Sequence, residues 1–65
     1  MTQKEVSKLK VGSKIKDCLG AIKVVVSIQD NILYELKWLD DNGNLSKGSE
    51  YQVPTHFSHD ILIEL

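Results

Sequence analysis

The chain contains no arginine, one cysteine, one proline and no long apolar run. A lone Cys18 excludes an internal disulfide, and no cysteines and histidines cluster at zinc-site spacing. Apolar runs as short as Val24–Val26 cannot span a bilayer. Residues 1–10 carry no apolar signal-peptide core, which predicts a cytoplasmic protein. Under that expectation the glycosylation-like Asn44-Leu45-Ser46 has no role. Without arginine, guanine edges and phosphates lose their usual bidentate reader.

What is present is ordinary for a globular domain: 65 residues, 42% hydrophobic and 26% charged. This length predicts one domain over 1–65, and such a domain buries only about 60% of its unfolded surface. With no disulfide or metal staple, the core and local geometry must hold it. The net charge of −1 gives no global attraction for nucleic acid. The charges are nevertheless segregated. Six lysines face Glu5 and Asp17 within residues 1–23, whereas two lysines face seven acids in the remainder.

Thr2-x-x-Glu5 has capping-box spacing, with Val6 and Leu9 following at i, i+3. Residues 1–10 therefore read as a short helical turn or a flexible arm, with the helical turn over about 3–9. From Val11 the pattern becomes that of strands. These are expected at 13–17, 21–28 and 32–40, then up to Val53, where Pro54 ends the fourth, and at 61–65. Thr55 to Asp60 reads as a polar connection with one 3₁₀ turn.

Register follows from parity, because a one-residue slip flips every face. A two-residue loop at Asp30-Asn31 would set Val24 opposite Lys37, mixing core with charge. A three-residue loop, Gln29-Asp30-Asn31, sets Ile28 against Ile32, Val26 against Tyr34, Val24 against Leu36 and Ile22 against Trp38. This register predicts Trp38 as a core residue. A two-residue Asn42-Gly43 loop then puts Tyr51 opposite Tyr34 and Val53 opposite Ile32, unless Gly48 introduces a bulge. Ile15, Ile61, Ile63 and Leu65 complete the expected core. The fold class predicted is all-β, a five-stranded antiparallel small barrel.

The segment Leu9 to Asp17, then Gly20 and the run Ile22 to Ile28, resembles the opening of KOW and SH3-like barrels. Tyr34 to Asp40 before a glycine turn is similar to Tudor-type barrels. The resemblance spans about 9–65 and implies an SH3-like barrel with a binding role. Methyl-reading Tudor domains place an aromatic after the first strand, where this chain has Cys18-Leu19-Gly20. RNA-binding KOW domains have basic loops, whereas the later loops here are acidic.

Chemistry-bearing clusters are sparse. His56-x-x-His59 on a 3₁₀ turn, with Cys18, could meet one ion, but no closed four-ligand set is visible, and turn-stabilising histidines are the simpler reading. Cys18 with a histidine could form a nucleophile–base pair, against the reading of Cys18 as a small hydrophobe. Tyr34, Trp38 and Tyr51 could stack bases, but the register assigns them to the core. The expectation is a non-enzymatic protein without metal or cofactor.

The outer face is more informative. Parity leaves Val25, Leu33, Leu39 and Leu62 outside, a potential apolar patch for a partner. Coverage by Val6 and Leu9 of the N-terminal segment is the alternative. The function expected is a non-catalytic protein-binding module, accessory or inhibitory, acting on another protein or by self-association. The rival is a KOW-like nucleic-acid binder using Lys8, Lys10, Lys14 and Lys16.

Overall fold

The computed structural model describes residues 1–63, so the expectations for Leu65 lie outside the described residues. The elements are helix α1 (Gln3–Val6), strands β1 (Lys14–Lys16), β2 (Ile22–Gln29), β3 (Leu33–Trp38) and β4 (Glu50–Gln52), a 3₁₀ turn (Pro54–Phe57) and β5 (Ile61–Ile63). The strands form one antiparallel sheet in the order β4-β3-β2-β1-β5. Among the described residues no pairing joins β4 to β5, so the sheet is open between them.

The capping box forms as its spacing predicts. Glu5 N–H donates to Thr2 Oγ1 at 3.2 Å, and Thr2 N–H donates to Glu5 Oε1 at 2.9 Å. Glu5 is held below the usual carboxylate range chiefly by that bond from the Thr2 backbone. A helix of four residues persists only by packing. Val6 and the following Leu9 are buried against Ile15, Val25, Tyr34, Leu36 and Phe57. Pro54 opens the 3₁₀ turn, which drops Phe57 into the centre of the core. The Phe57 ring meets Tyr34 edge-on, with centroids 5.2 Å apart. The Met1 ammonium donates to the carbonyls of Phe57 and Asp60 at 2.9 and 2.7 Å, tying helix to turn.

The β2–β3 register differs from the expected one, and the reason is a bulge. Near the turn, Ile28 lies opposite Tyr34 and Ser27 opposite Glu35. Beyond the irregularity between Val25 and Ser27, Val25 lies opposite Leu36, Val24 opposite Lys37 and Lys23 opposite Trp38. Val26 is the extra residue. It lets Ile28 and Val25, of opposite parity, both face the core. Asp30 and Asn31 both have positive φ, 52° and 59°, and Ile32 N–H donates to Gln29 O. This is a two-residue type I′ turn over Asp30-Asn31, not the expected three-residue loop Gln29-Asp30-Asn31, and it leaves Ile32 exposed rather than paired with Ile28.

Four assignments are thereby corrected. Val25 is fully buried and belongs to the core, not the outer face. Leu62, opposite Ile15, packs against the same core. Trp38 is 39% exposed, and its partner is Lys23 rather than Ile22. Ile61 is exposed.

The second hairpin also slips by one residue. Gly43 takes φ 82° in a three-residue turn closed by Gly43 N–H to Asp40 O and Asp40 N–H to Asn44 O. Ser46 to Ser49 then leave the ladder, with Ser46 Oγ donating to Gly48 O. Pairing resumes with Gln52 opposite Tyr34 and Glu35 opposite Tyr51. Gln52 is therefore buried and Tyr51 exposed, the reverse of the expected faces.

Candidate protein-interaction face

The core side of the sheet is covered by Val6, Leu9 and Phe57. The opposite side carries a row that crosses the whole sheet. Ile61 lies beside Lys16, Lys16 beside Ile22, Leu39 N–H donates to Ile22 O, and Leu39 bridges to Leu45. Residues paired directly across strands share a face, so these five side chains stand in line. Ile61 and Leu45 are 63% and 46% exposed, with Ile22 and Leu39 half-buried. The next row runs Ile63, Lys14, Val24, Lys37. Aliphatic side chains and three lysines therefore alternate on one surface.

Of the four outer residues read from sequence, Leu39 lies in this row. Leu33, opposite Gln29, is half-buried at the far end of the hairpin. The structure thus does not gather Val25, Leu33, Leu39 and Leu62 into one patch. It supplies Ile22, Leu45 and Ile61 instead. Sequence parity missed Ile22 because the bulge at Val26 was not visible to it. The isolated bridge that recruits Leu45 has no local signature beyond the glycine turn between Leu39 and Leu45.

Behind these rows sits a buried charge. Lys23 is 5% exposed, and its Nζ contacts Glu50 Oε2 at 2.5 Å and Asp17 Oδ2 at 3.4 Å. Burial favours loss of its proton, but Glu50 and then Asp17 outweigh this and raise its pKa. Asp17 is lowered first by the N–H of Ala21, then by that of Leu19, with Lys23 adding to both. Asp60 is also buried, and burial raises its pKa. Among the described residues, Asp60 Oδ2 and Gln52 Oε1 are buried without a hydrogen-bond partner. At the hairpin, Glu35 accepts from the hydroxyls of Ser49 and Ser27, which hold its pKa down.

The other candidate residues are dispersed. Cys18 is exposed in the β1–β2 turn. His56 Nδ1 accepts from Val53 N–H at 3.3 Å within the 3₁₀ turn, and His59 is exposed. Among the described residues no three His, Cys, Asp or Glu side chains converge on a metal position. Tyr34 is in the core, Trp38 at its rim and Tyr51 on the opposite face, so the three do not form a platform. Lys8, Lys10 and Lys14 line one hollow, whereas Lys16 stands in the aliphatic row. Among the described residues no helix is long and apolar enough to cross a membrane.

No protein-family model matches the chain, and no curated protein and no solved structure does either.

Proposed function

We propose that the chain is a non-catalytic binding module of SH3-like barrel type that docks an acidic protein surface on its uncovered sheet face. The barrel reading is supported by the strand order, by the 3₁₀ turn between β4 and β5, and by Glu50 of the edge strand reaching Lys23 of the central strand. The observation that carries the docking reading is the row Ile61–Lys16–Ile22–Leu39–Leu45 with Lys14 and Lys37 beside it. Aliphatic contacts supply non-directional attraction, and the lysines select a partner with carboxylates around its own apolar residues.

Charge argues against a second copy as the occupant, because a two-fold interface would oppose the lysines to one another. It argues less strongly against nucleic acid, but the face offers aliphatic rows, no arginine and a single exposed aromatic, Tyr51, which lies opposite the acidic Glu35.

The test is affinity capture with the parent and an Ile61→Ser/Leu45→Ser variant, whose exposed positions leave the fold intact. Proteins held by the parent and lost from the variant, with acidic contact surfaces, are expected. Equal retention by both chains refutes the face. Sedimentation of the parent should give a monomer at high concentration.

A further inference from the structure

Lys8, Lys10 and Lys14 surround a single hollow of about 390 Å³, completed by Gly12, Ser13, Leu62 and Ile63. Three like charges repel one another there unless an anion joins them. Among the described residues, ion pairs within 4 Å involve only Lys23. Glu5 feels the charge of Lys8, but its carboxylate is already held by Thr2 N–H. The hollow is open at Gly12, which has φ 97° and no atom within 4 Å of where a Cβ would stand. Its backbone is fixed: Gly12 N–H donates to Val25 O, and Lys10 N–H donates to Ser13 Oγ. Leu62 and Ile63 give it an apolar wall.

We infer that this hollow is an anion pocket that receives a glutamate or aspartate side chain of the acidic partner. The inference rests on the docking reading above and names the group that anchors it. The methylenes of such a side chain fit against Leu62 and Ile63, and its carboxylate meets the lysines. Lys14 and Ile63 belong both to the hollow and to the half-buried row Ile63–Lys14–Val24–Lys37, so a partner on the face reaches the pocket without a gap. The adjoining rows add Lys16 and Lys37 among aliphatic side chains, which suits carboxylates set in an apolar protein surface, whereas a nucleic acid would gain only phosphate contacts there.

The ¹⁵N-labelled full chain is titrated at low ionic strength with a capped decaglutamate, and separately with inorganic phosphate and a ten-residue oligothymidylate. Decaglutamate should shift the amides of Gly12, Ser13 and Ile63. A Lys8→Gln/Lys10→Gln variant, altered only at exposed positions, should bind it about tenfold more weakly. The Ile61→Ser/Leu45→Ser variant should bind decaglutamate like the parent, which separates failure of the pocket from failure of the face. Shifts spread over all lysines, or an unchanged affinity in the lysine variant, overturn the pocket. Tighter binding of the oligothymidylate or of phosphate at the same amides overturns the carboxylate assignment and makes this a phosphate site.

Discussion

Lys23 lies directly opposite Trp38 on the β2–β3 ladder, its ammonium 5.8 Å from the ring centroid. The pair closes one end of the core. The ring lies over the charge, and Glu50 and Asp17 neutralise it. A cation beside an aromatic face gains about 0.5–2 kcal/mol, depending on its desolvation.

Replacing Lys23 with Met should therefore destabilise the fold, although Met is the more apolar side chain. Asp17, Glu50 and Asp60 would be left without their cation. Breaking a buried pair costs about 3–5 kcal/mol, and the partial exposure of Glu50 reduces this to about 2–3 kcal/mol. Urea denaturation of the two chains measures the difference. Equal midpoints would show that the pair contributes no net stability.

Phe57 and Trp38 should exchange the ranks that their sizes suggest. Phe57 is wholly buried, so Phe57→Ala should lose about 3–5 kcal/mol, enough to unfold a domain this small. Trp38→Ala removes a partly exposed ring and should lose about 1–2 kcal/mol, leaving a cooperative transition. Circular dichroism melts of both variants decide the order.

Asp60 makes the stability depend on pH in a direction opposite to Asp17. Burial raises the pKa of Asp60 in the fold, with Asp17 and Glu50 adding to this against Lys23 and the N-terminal ammonium. The folded chain thus holds that proton more tightly than the unfolded one. The penalty is full at neutral pH and is relieved as pH falls toward about 4. Asp60→Asn should raise Tm at neutral pH, with a gain that shrinks on acidification. Asp17 is depressed, so its contribution is present at neutral pH and is lost as pH falls through its folded value. Asp17→Asn should therefore lower Tm at neutral pH and match the parent in acid. Melts across pH 3–8 of the three chains provide the check.

The β2–β3 turn should tolerate glycine and resist branched residues. Asp30 has φ 52°, a region that strains most side chains by about 1–2 kcal/mol. Asp30→Gly is expected to be neutral or slightly stabilising, and Asp30→Val to destabilise by about 1–2 kcal/mol, both measurable by thermal melts.

Much of this architecture was legible in the chain. The capping residues Thr2 and Glu5 and the stop at Pro54 act through local geometry and lie where their chemistry places them. The two hairpin turns fall at Asp30-Asn31 and Gly43 as read, although the first loop is one residue shorter and the second one residue longer than expected. Faces were less legible, because parity carries an error forward. The unpaired Val26 leaves no sign in residue type, and the excursion from Ser46 to Ser49 leaves only Gly48. The bulge exchanges Val25 for Val24, and the three-residue turn at Gly43, one residue longer than the expected loop, exchanges Gln52 for Tyr51. The burial of Lys23 has no local signal, because its partners Asp17 and Glu50 are 6 and 27 positions away in the chain. Phe57 was hidden in a polar segment, since a 3₁₀ turn buries one residue without a periodic pattern. The candidate face inherits these errors: Leu39 was found, and its neighbours Ile22, Ile61 and Leu45 were not.

The bulge at Val26 also governs how the length of this chain can vary. Removing Val26 alone would restore strict alternation along β2 and keep Lys23, Val25 and Ile28 together on the inward face, because Val26 is the one residue in excess. A homologous chain one residue shorter here would lose the bulge and keep Lys23 against Asp17 and Glu50. Gain or loss of a residue in the Ser46–Ser49 excursion would likewise be absorbed outside the ladder. The first hairpin should thus shorten by this one residue without changing its charges, and the second should vary in length between Ser46 and Ser49.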